Sequence, residues 1–172
     1  MEKVSIGSEK QIKWAQSIKD DVAEILKNRK AEDVKLAKEN LERAKAENGI
    51  YSDLIKGLAD RDYDGDIESA KLKVIQTLED VLDHVEEAPK HQALMSVIDA
   101  KFWIDTREMK VARMLSGMWD DDPNRIGQIR VLIDGSKVTL VTLKYGKVIS
   151  GYGGKMMQVS PDRTYEREYA VA

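Results

Sequence analysis

The chain contains no cysteine, which removes disulfide staples, thiol nucleophiles and thiolate metal sites at once and fits a reducing compartment, with the cytoplasm as the expected location. No stretch approaches the roughly 18 consecutive apolar residues that a membrane span needs. The opening Met1-Glu2-Lys3-Val4-Ser5 leads into a charged helical pattern without the apolar core of a secretion signal, so neither membrane insertion nor secretion is expected. There is no internal repeat and no low-complexity tract. A marked excess of one sign of charge is missing too: the net charge is −3 over 172 residues, which gives no argument for nucleic-acid binding from composition alone.

What is present is a charged yet foldable chain. Hydrophobic residues make up 42% and charged residues 34%, too apolar and too periodic for disorder. Residues 1–100 carry 16 Lys/Arg against 22 Asp/Glu, and residues 101–172 carry 12 against 9, so the two parts differ in sign.

Ser8-Glu9-Lys10-Gln11 is a capping box and opens a first helix, on which Ile12, Ala15, Ile18, Val22, Ile25 and Leu26 form an apolar stripe. Lys13, Lys19, Asp20, Glu24 and Lys27 are expected to face water. A second, more polar helix is predicted over about 31–48, with Val34, Ala37, Leu41 and Ala44 as a narrow seam suited to one arm of a helical hairpin or to a homodimer. Tyr51, Leu54, Ile55 and Leu58 predict a short third helix, and 67–85 the clearest core helix, stopped by Pro89. A fifth helical region is expected over 92–117, kinked near Asp99.

After Trp119-Asp120-Asp121-Asp122-Pro123-Asn124 the period changes from 3.6 to 2. Residues 128–134, 137–145 and 147–150 read as strands, with Asp134-Gly135 and Tyr145-Gly146 as hairpin turns and a fourth strand near 165–171. The expected fold class is α+β: about five helices, including a polar helical hairpin, then a small antiparallel β-meander of three to four strands. The expected organisation is a helical region over 1–118, an acidic linker over 119–127 and an antiparallel β-unit over 128–172 packed on the helices as one composite domain.

Among candidate sites, Asp60-x-Asp62-x-Asp64-Gly65-x-Ile67-Glu68 matches six positions of an EF-hand loop, where alternating oxygen ligands surround a glycine turn. The twelfth position, which should supply a bidentate Glu, is Lys71. The favoured reading is therefore an acidic loop whose Asp66 caps the next helix, with weak calcium binding at Asp60, Asp62 and Asp64 as the alternative. His84 and His91 have no third ligand at useful spacing. Ser150-Gly151-Tyr152-Gly153-Gly154-Lys155 lacks the first Gly and the Ser/Thr of a phosphate loop and reads as a hairpin. The paired carboxylates Glu86/Glu87 and Asp121/Asp122 sit in solvated runs, unlike an acid/base pair. No catalytic residues and no cofactor are expected.

Gly7-Ser8-Glu9-Lys10-Gln11-Ile12-Lys13-Trp14-Ala15 and Asp99-Ala100-Lys101-Phe102-Trp103-Ile104-Asp105-Thr106-Arg107 together resemble paired motifs in uncharacterised proteins of phages and mobile elements of Gram-positive bacteria. The resemblance covers about twenty residues and implies a genomic neighbourhood rather than a chemistry. Trp14 with Ile18, and Phe102 with Trp103, are expected to dock the first helix onto the fifth.

A small chain of that origin without a catalytic constellation implies a non-enzymatic binding protein. The expectation is an inhibitor of a host defence system, of the anti-CRISPR type, acting in the host cytoplasm on a nucleic-acid-processing effector. The expected partner-binding residues are the acidic set Asp60, Asp62, Asp64, Asp66, Glu68, Asp80 and Asp83, which suit a basic channel. The alternative is a nucleic-acid-binding accessory protein using Lys101, Lys110, Arg113, Arg125 and Arg130, although Asp105, Glu108 and Asp120 to Asp122 interleave with them and favour internal ion pairs.

Overall fold

The computed structural model describes residues 2–121, 127–151, 154–169 and 171. The fold is α+β, a helical part followed by an antiparallel β-meander. The elements are α1 (Glu9–Lys45), α2 (Ile50–Asp62), α3 (Ile67–Glu87), α4 (Pro89–Met95), α5 (Ala100–Asp105) and α6 (Val111–Ser116), then β1 (Asp120–Asp121), β2 (Gly127–Asp134), β3 (Lys137–Gly151) and β4 (Gly154–Tyr169). The strands lie in chain order, β1-β2-β3-β4, each antiparallel to the next.

The chain divides into two compact units: unit 1 comprises Met1–Leu26 with Pro89–Ala172, and unit 2 comprises Lys27–Ala88. Neither bound coincides with the composition change near residue 118. Unit 2 is a three-helix arrangement of the second half of α1 with α2 and α3, closed around Ala44, Tyr51, Ile55, Ala59, Ala70 and Val74. Unit 1 has its own core, in which Val22, Leu26, Leu94, Phe102, Trp103 and Met114 from the helices meet Ile129, Val131, Val138, Leu140 and Tyr169 from the sheet. Phe102 is its centre, edge-on to Trp103 at 5.1 Å and to Tyr169 at 5.2 Å between ring centroids. Such pairs add about 0.5–1.5 kcal/mol each to the burial itself.

The start of α1 follows its capping box: Gln11 N donates to Ser8 Oγ at 3.4 Å, and Ser8 N donates back to Gln11 Oε1 at 3.0 Å. The expected break between a first and a second helix is absent. Nothing between Lys27 and Ala31 forbids helix, and Arg29 pairs with Asp33 one turn on at 3.7 Å, so α1 runs unbroken through 37 residues. The polar stretch predicted as one arm of a hairpin is thus the second half of α1, and the hairpin that exists is α2–α3.

The expected fifth helix is instead three short ones. Asp99 leaves helical geometry to cap α5, accepting from Lys101 N at 2.8 Å, and Gly117 ends α6 in the left-handed region at φ 68°. Pro89 does end the preceding helix and begins α4, as a residue without an amide proton can at a first helical position. Tyr145-Gly146 is no hairpin turn: β3 continues through it, the ladder shifting register on either side of Tyr145. The strand expected at 165–171 begins earlier, at Gly154. The backbone of the first two aspartates of the expected acidic linker, Asp120 and Asp121, forms β1, opposite Ile129 and Gln128.

Residue type places Lys19 in water, yet it is fully buried. Its place in the step pattern Ala15, Lys19, Val22, Leu26 is a core position of α1, and all four residues are buried. The ammonium donates to Glu2 O at 2.6 Å and to Val97 O at 2.8 Å, and sits 5.6 Å from the Trp103 ring centroid. Burial lowers its pKa, while the nearby carboxylates of Glu2 and Asp20 push the other way.

Two backbone positions yield tests. Gly7 has φ 140°, and a Cβ there would stand 2.9 Å from Ala100 Cβ. Gly7→Ala is expected to lower unfolding stability by about 1–3 kcal/mol. Ala88, the C-cap of α3, holds φ 48°, a conformation that costs a β-carbon energy and a glycine none. Ala88→Gly is expected to raise stability by about 0.5 kcal/mol after its larger unfolded-state entropy is counted. Urea unfolding midpoints measure both; a neutral Gly7→Ala would remove the close approach from the account.

Candidate functional site

The acidic set falls on the α2–α3 hairpin of unit 2. Residues 46–88 carry 4 Lys/Arg against 12 Asp/Glu, whereas the adjoining stretch of α1, 27–45, carries 7 against 4. The turn between the helices follows from its residue types. Asp64 (φ 50°) and Gly65 (φ 84°) both take the left-handed conformation that Asp tolerates and Gly favours. Gly65 N donates to Ala59 O at 3.0 Å, and Tyr63 N to the same carbonyl at 3.1 Å, so the turn folds back onto the last turn of α2. Asp66 caps α3, its carboxylate accepting from Ser69 N at 3.2 Å and Ser69 Oγ at 2.6 Å. These bonds hold its carboxyl below the usual range, the Ser69 hydroxyl contributing most.

That chemistry accounts for the Asp-rich, glycine-bearing spacing without a cation. Asp60 and Asp62 both lie within α2, where residues two apart point away from each other, and Asp62 is held by the neighbouring Arg61 at 2.7 Å. The Arg61 hydrogen bond keeps the Asp62 carboxyl low. Lys71, at the position where an EF-hand has its bidentate Glu, pairs with Glu47. No three His, Asp or Glu side chains among the described residues stand together as a metal-binding group, so the structure does not bring Asp60, Asp62 and Asp64 into a chelate. His84 is on α3 and His91 on α4.

The carboxylates of α3 are sorted by direction. On one flank Glu86 pairs with Lys38 at 2.9 Å and Glu79 with Lys45 at 3.8 Å, contacts that set α3 antiparallel to the second half of α1. On the outward face Glu68, Leu72, Gln76, Asp80, Asp83 and Glu87 succeed one another at steps of four, four, four, three and four, and all are exposed. Asp80 and Asp83, like Asp60 and Asp64 at the turn, have no ion-pair partner among the described residues. Leu72 stands in the middle of this stripe with 66% of its surface in water.

The basic residues of the alternative reading lie in unit 1 and are largely occupied. Lys101 pairs with Asp105 at 2.6 Å; Arg113 donates to Trp119 O and approaches Asp120 at 3.5 Å; the Arg130 guanidinium stacks 4.5 Å from the Trp119 ring centroid. Lys110 is exposed ahead of α6. Arg125 lies outside the described residues. The glycine-rich run is the tip of the β3–β4 hairpin, with Gly151 opposite Gly154. A hollow of about 320 Å³ beside α4 is lined by Pro89, Gln92, Ala93, Ser96, Gly135 and Ser136, which offer amide and hydroxyl groups but no charge.

The segments Gly7–Ala15 and Asp99–Arg107 do meet, and their residues have structural duties. Ala100 N donates to Ile6 O beside Gly7, Phe102 and Trp103 are core, and Thr106 Oγ1 donates to Phe102 O. Trp14 is half exposed rather than core, covered on one side by Arg107 at 5.5 Å. Residue types alone do not reveal the polar contacts between α5 and β4: Asp99, the cap of α5, faces Arg167 at 3.7 Å, and the Tyr169 hydroxyl meets Asp105 at its last residue. Only the alternation of β4, which carries Tyr169 inward, hints at them.

Comparison with protein-family models, with curated proteins and with solved structures gives no match. Among the described residues no helix is long and apolar enough to cross a membrane.

Burial raises the Tyr169 phenol above its ordinary 10.0, the Asp105 carboxylate adding to the effect and Arg167 opposing it. The folded chain keeps the phenolic proton where the unfolded chain has lost it, so this group's stabilisation is complete below about pH 10 and is lost as pH rises further. Lys19 acts oppositely, adding stability as pH rises toward about 10.5, because its folded form binds its proton more weakly. Since Lys19 is common to both chains, the difference between wild type and Tyr169→Phe isolates the phenol. Its unfolding free energy should decline less steeply than that of wild type above about pH 10; equal slopes would mean that Tyr169 ionises as freely folded as unfolded.

Proposed function

We propose that the chain is a non-enzymatic protein-binding module that docks the acidic α2–α3 face onto a basic surface of a partner protein. The observation that carries this reading is the sorting of charge on α3: carboxylates toward α1 are neutralised by lysines, while Asp80 and Asp83 on the outward stripe, with Asp60 and Asp64 at the turn, are left to solvent. Exposed carboxylates of one sign steer association with a cationic surface and discriminate against anionic ones. Leu72 supplies an apolar contact among them, and contacts of that kind, once desolvated, hold an interface together. The partner class suggested by the resemblance is a host defence effector that itself handles nucleic acid, such as a CRISPR nuclease, whose binding channel is basic. The nucleic-acid-binding alternative draws less support, since Lys101, Arg113 and Arg130 each serve an internal contact.

Affinity capture with tagged protein from a CRISPR-carrying Gram-positive host, with and without nuclease, tests the reading. A stoichiometric protein partner is expected to survive digestion. With that partner purified, Asp80→Lys/Asp83→Lys and Asp60→Lys/Asp64→Lys are expected to weaken binding about tenfold or more, chiefly through the association rate. Their thermal midpoints should stay near wild type, because all four residues are exposed. Undiminished binding by both variants would remove the acidic face, and nucleic acid recovered in place of protein would favour the alternative.

A further inference from the structure

Three segments distant in sequence converge on Val97–Asp99. The N-terminal strap, residues 2–6, runs beside it: Ser5 N and Ile6 N donate to Ile98 O at 2.9 and 3.1 Å, and Ala100 N returns a bond to Ile6 O at 2.8 Å. The end of the chain meets it from another direction, with Val97 bridging Val171 in antiparallel fashion and Asp99 facing Arg167 of β4. Between them stands Lys19 of α1.

The Val97 carbonyl uses both lone pairs inside the protein, accepting from Lys19 Nζ and from Trp103 Nε1 at 3.1 Å. Lys19 in turn holds the strap through Glu2 O, while Gln16 Oε1 accepts from Val4 N at 2.8 Å and the Val4 side chain enters the core. The charged and titratable groups set toward this ammonium are Glu2 on the strap and Asp20 on α1.

We propose that Lys19 is a latch that ties the strap and the C-terminal end of β4 to one segment, so that both ends of unit 1 open and close together. The reasoning is that a fully buried ammonium tolerates neither half of its contacts alone. If the strap lifts, Lys19 loses Glu2 O and gains water, and a hydrated ammonium leaves the Trp103 face and releases the Val97 carbonyl. Val97–Asp99 then loses one of its supports, and the Val171 bridge and the Arg167–Asp99 pair rest on that segment. Opening at either end therefore removes a support of the other.

Native-state hydrogen exchange reads this directly. In the wild-type chain under increasing denaturant, the amides of Ser5, Ile6 and Ala100 and the protected amides of 167–169 are expected to follow one opening isotherm. Lys19→Met, which keeps an unbranched apolar stem and removes the donors, is expected to speed exchange of both groups by a common factor of about ten or more, the equivalent of losing one or two buried hydrogen bonds. Amides of α2 and α3 in unit 2 serve as an internal control and should not change. If 167–169 keep wild-type protection while the strap amides lose theirs, Lys19 secures the strap alone and the coupling is wrong. Should Lys19→Met fail to fold, the wild-type series still decides: separate isotherms for the two groups overturn the proposal.

Discussion

The constraint on which unit 1 depends is the burial of one positive charge. An ammonium removed from water is unfavourable by several kcal/mol unless its protons find acceptors, and Lys19 meets the requirement with two backbone carbonyls and an aromatic face. Those carbonyls belong to residues 2 and 97, so the requirement ties the strap and the Val97–Asp99 segment to α1. The core then fills in around them. Trp103 satisfies its indole N–H on the same Val97 carbonyl, Phe102 turns edge-on to it, and the sheet brings Tyr169 against Phe102. Polar demand and apolar packing select one arrangement, and local preference agrees with it at the capping box, at Asp99 and at Pro89.

Much of the architecture was legible from period and punctuation. The capping box at Ser8, the core helix after Asp66, the stop at Pro89 and the Asp134-Gly135 hairpin depend on interactions within a few residues, which is the range a sequence displays. The misreadings share a different cause. α1 was read as two helices because its apolar stripe narrows near Lys27, yet hydrophobic narrowing does not break a helix when propensity is good throughout. The apolar spacing after Gln92 continues as in one helix kinked near Asp99, whereas Asp99 competes for the backbone and begins a new helix there. Lys19 was assigned to solvent by residue type, against its spacing within a buried stripe; its acceptors are 17 and 78 residues away and leave no local trace.

The acidic candidate surface was legible as composition but not as arrangement. Sequence spacing favours an acidic loop capped by Asp66 over a cation loop at Asp60–Asp66, and in the folded turn Asp66 caps α3 while Asp60 and Asp64 stay exposed. Which carboxylates remain available depends on the lysines of α1, a non-local matter. Lys38 and Lys45 neutralise Glu86 and Glu79 and leave Asp80 and Asp83 unpaired among the described residues, a distinction invisible in a string where all four stand within eight residues. The strength of these exposed pairs is slight, about 0–1 kcal/mol each, so their main effect is on where net charge resides rather than on stability.

The discontinuity of unit 1 has a consequence for the order of events as the chain folds. Its core draws Val22 and Leu26 together with Leu94, Phe102 and strands later still, and the whole of Lys27–Ala88 lies between. Closing a floppy loop of that length costs entropy before any contact rewards it. Unit 2, however, is three helices joined by short turns, a class richer in local contacts than a sheet and quicker to form. Once formed, it replaces a long flexible tether by a rigid body, and the search that brings the two halves of unit 1 together becomes shorter. The interrupting segment thus acts during folding as a splint for the unit it interrupts.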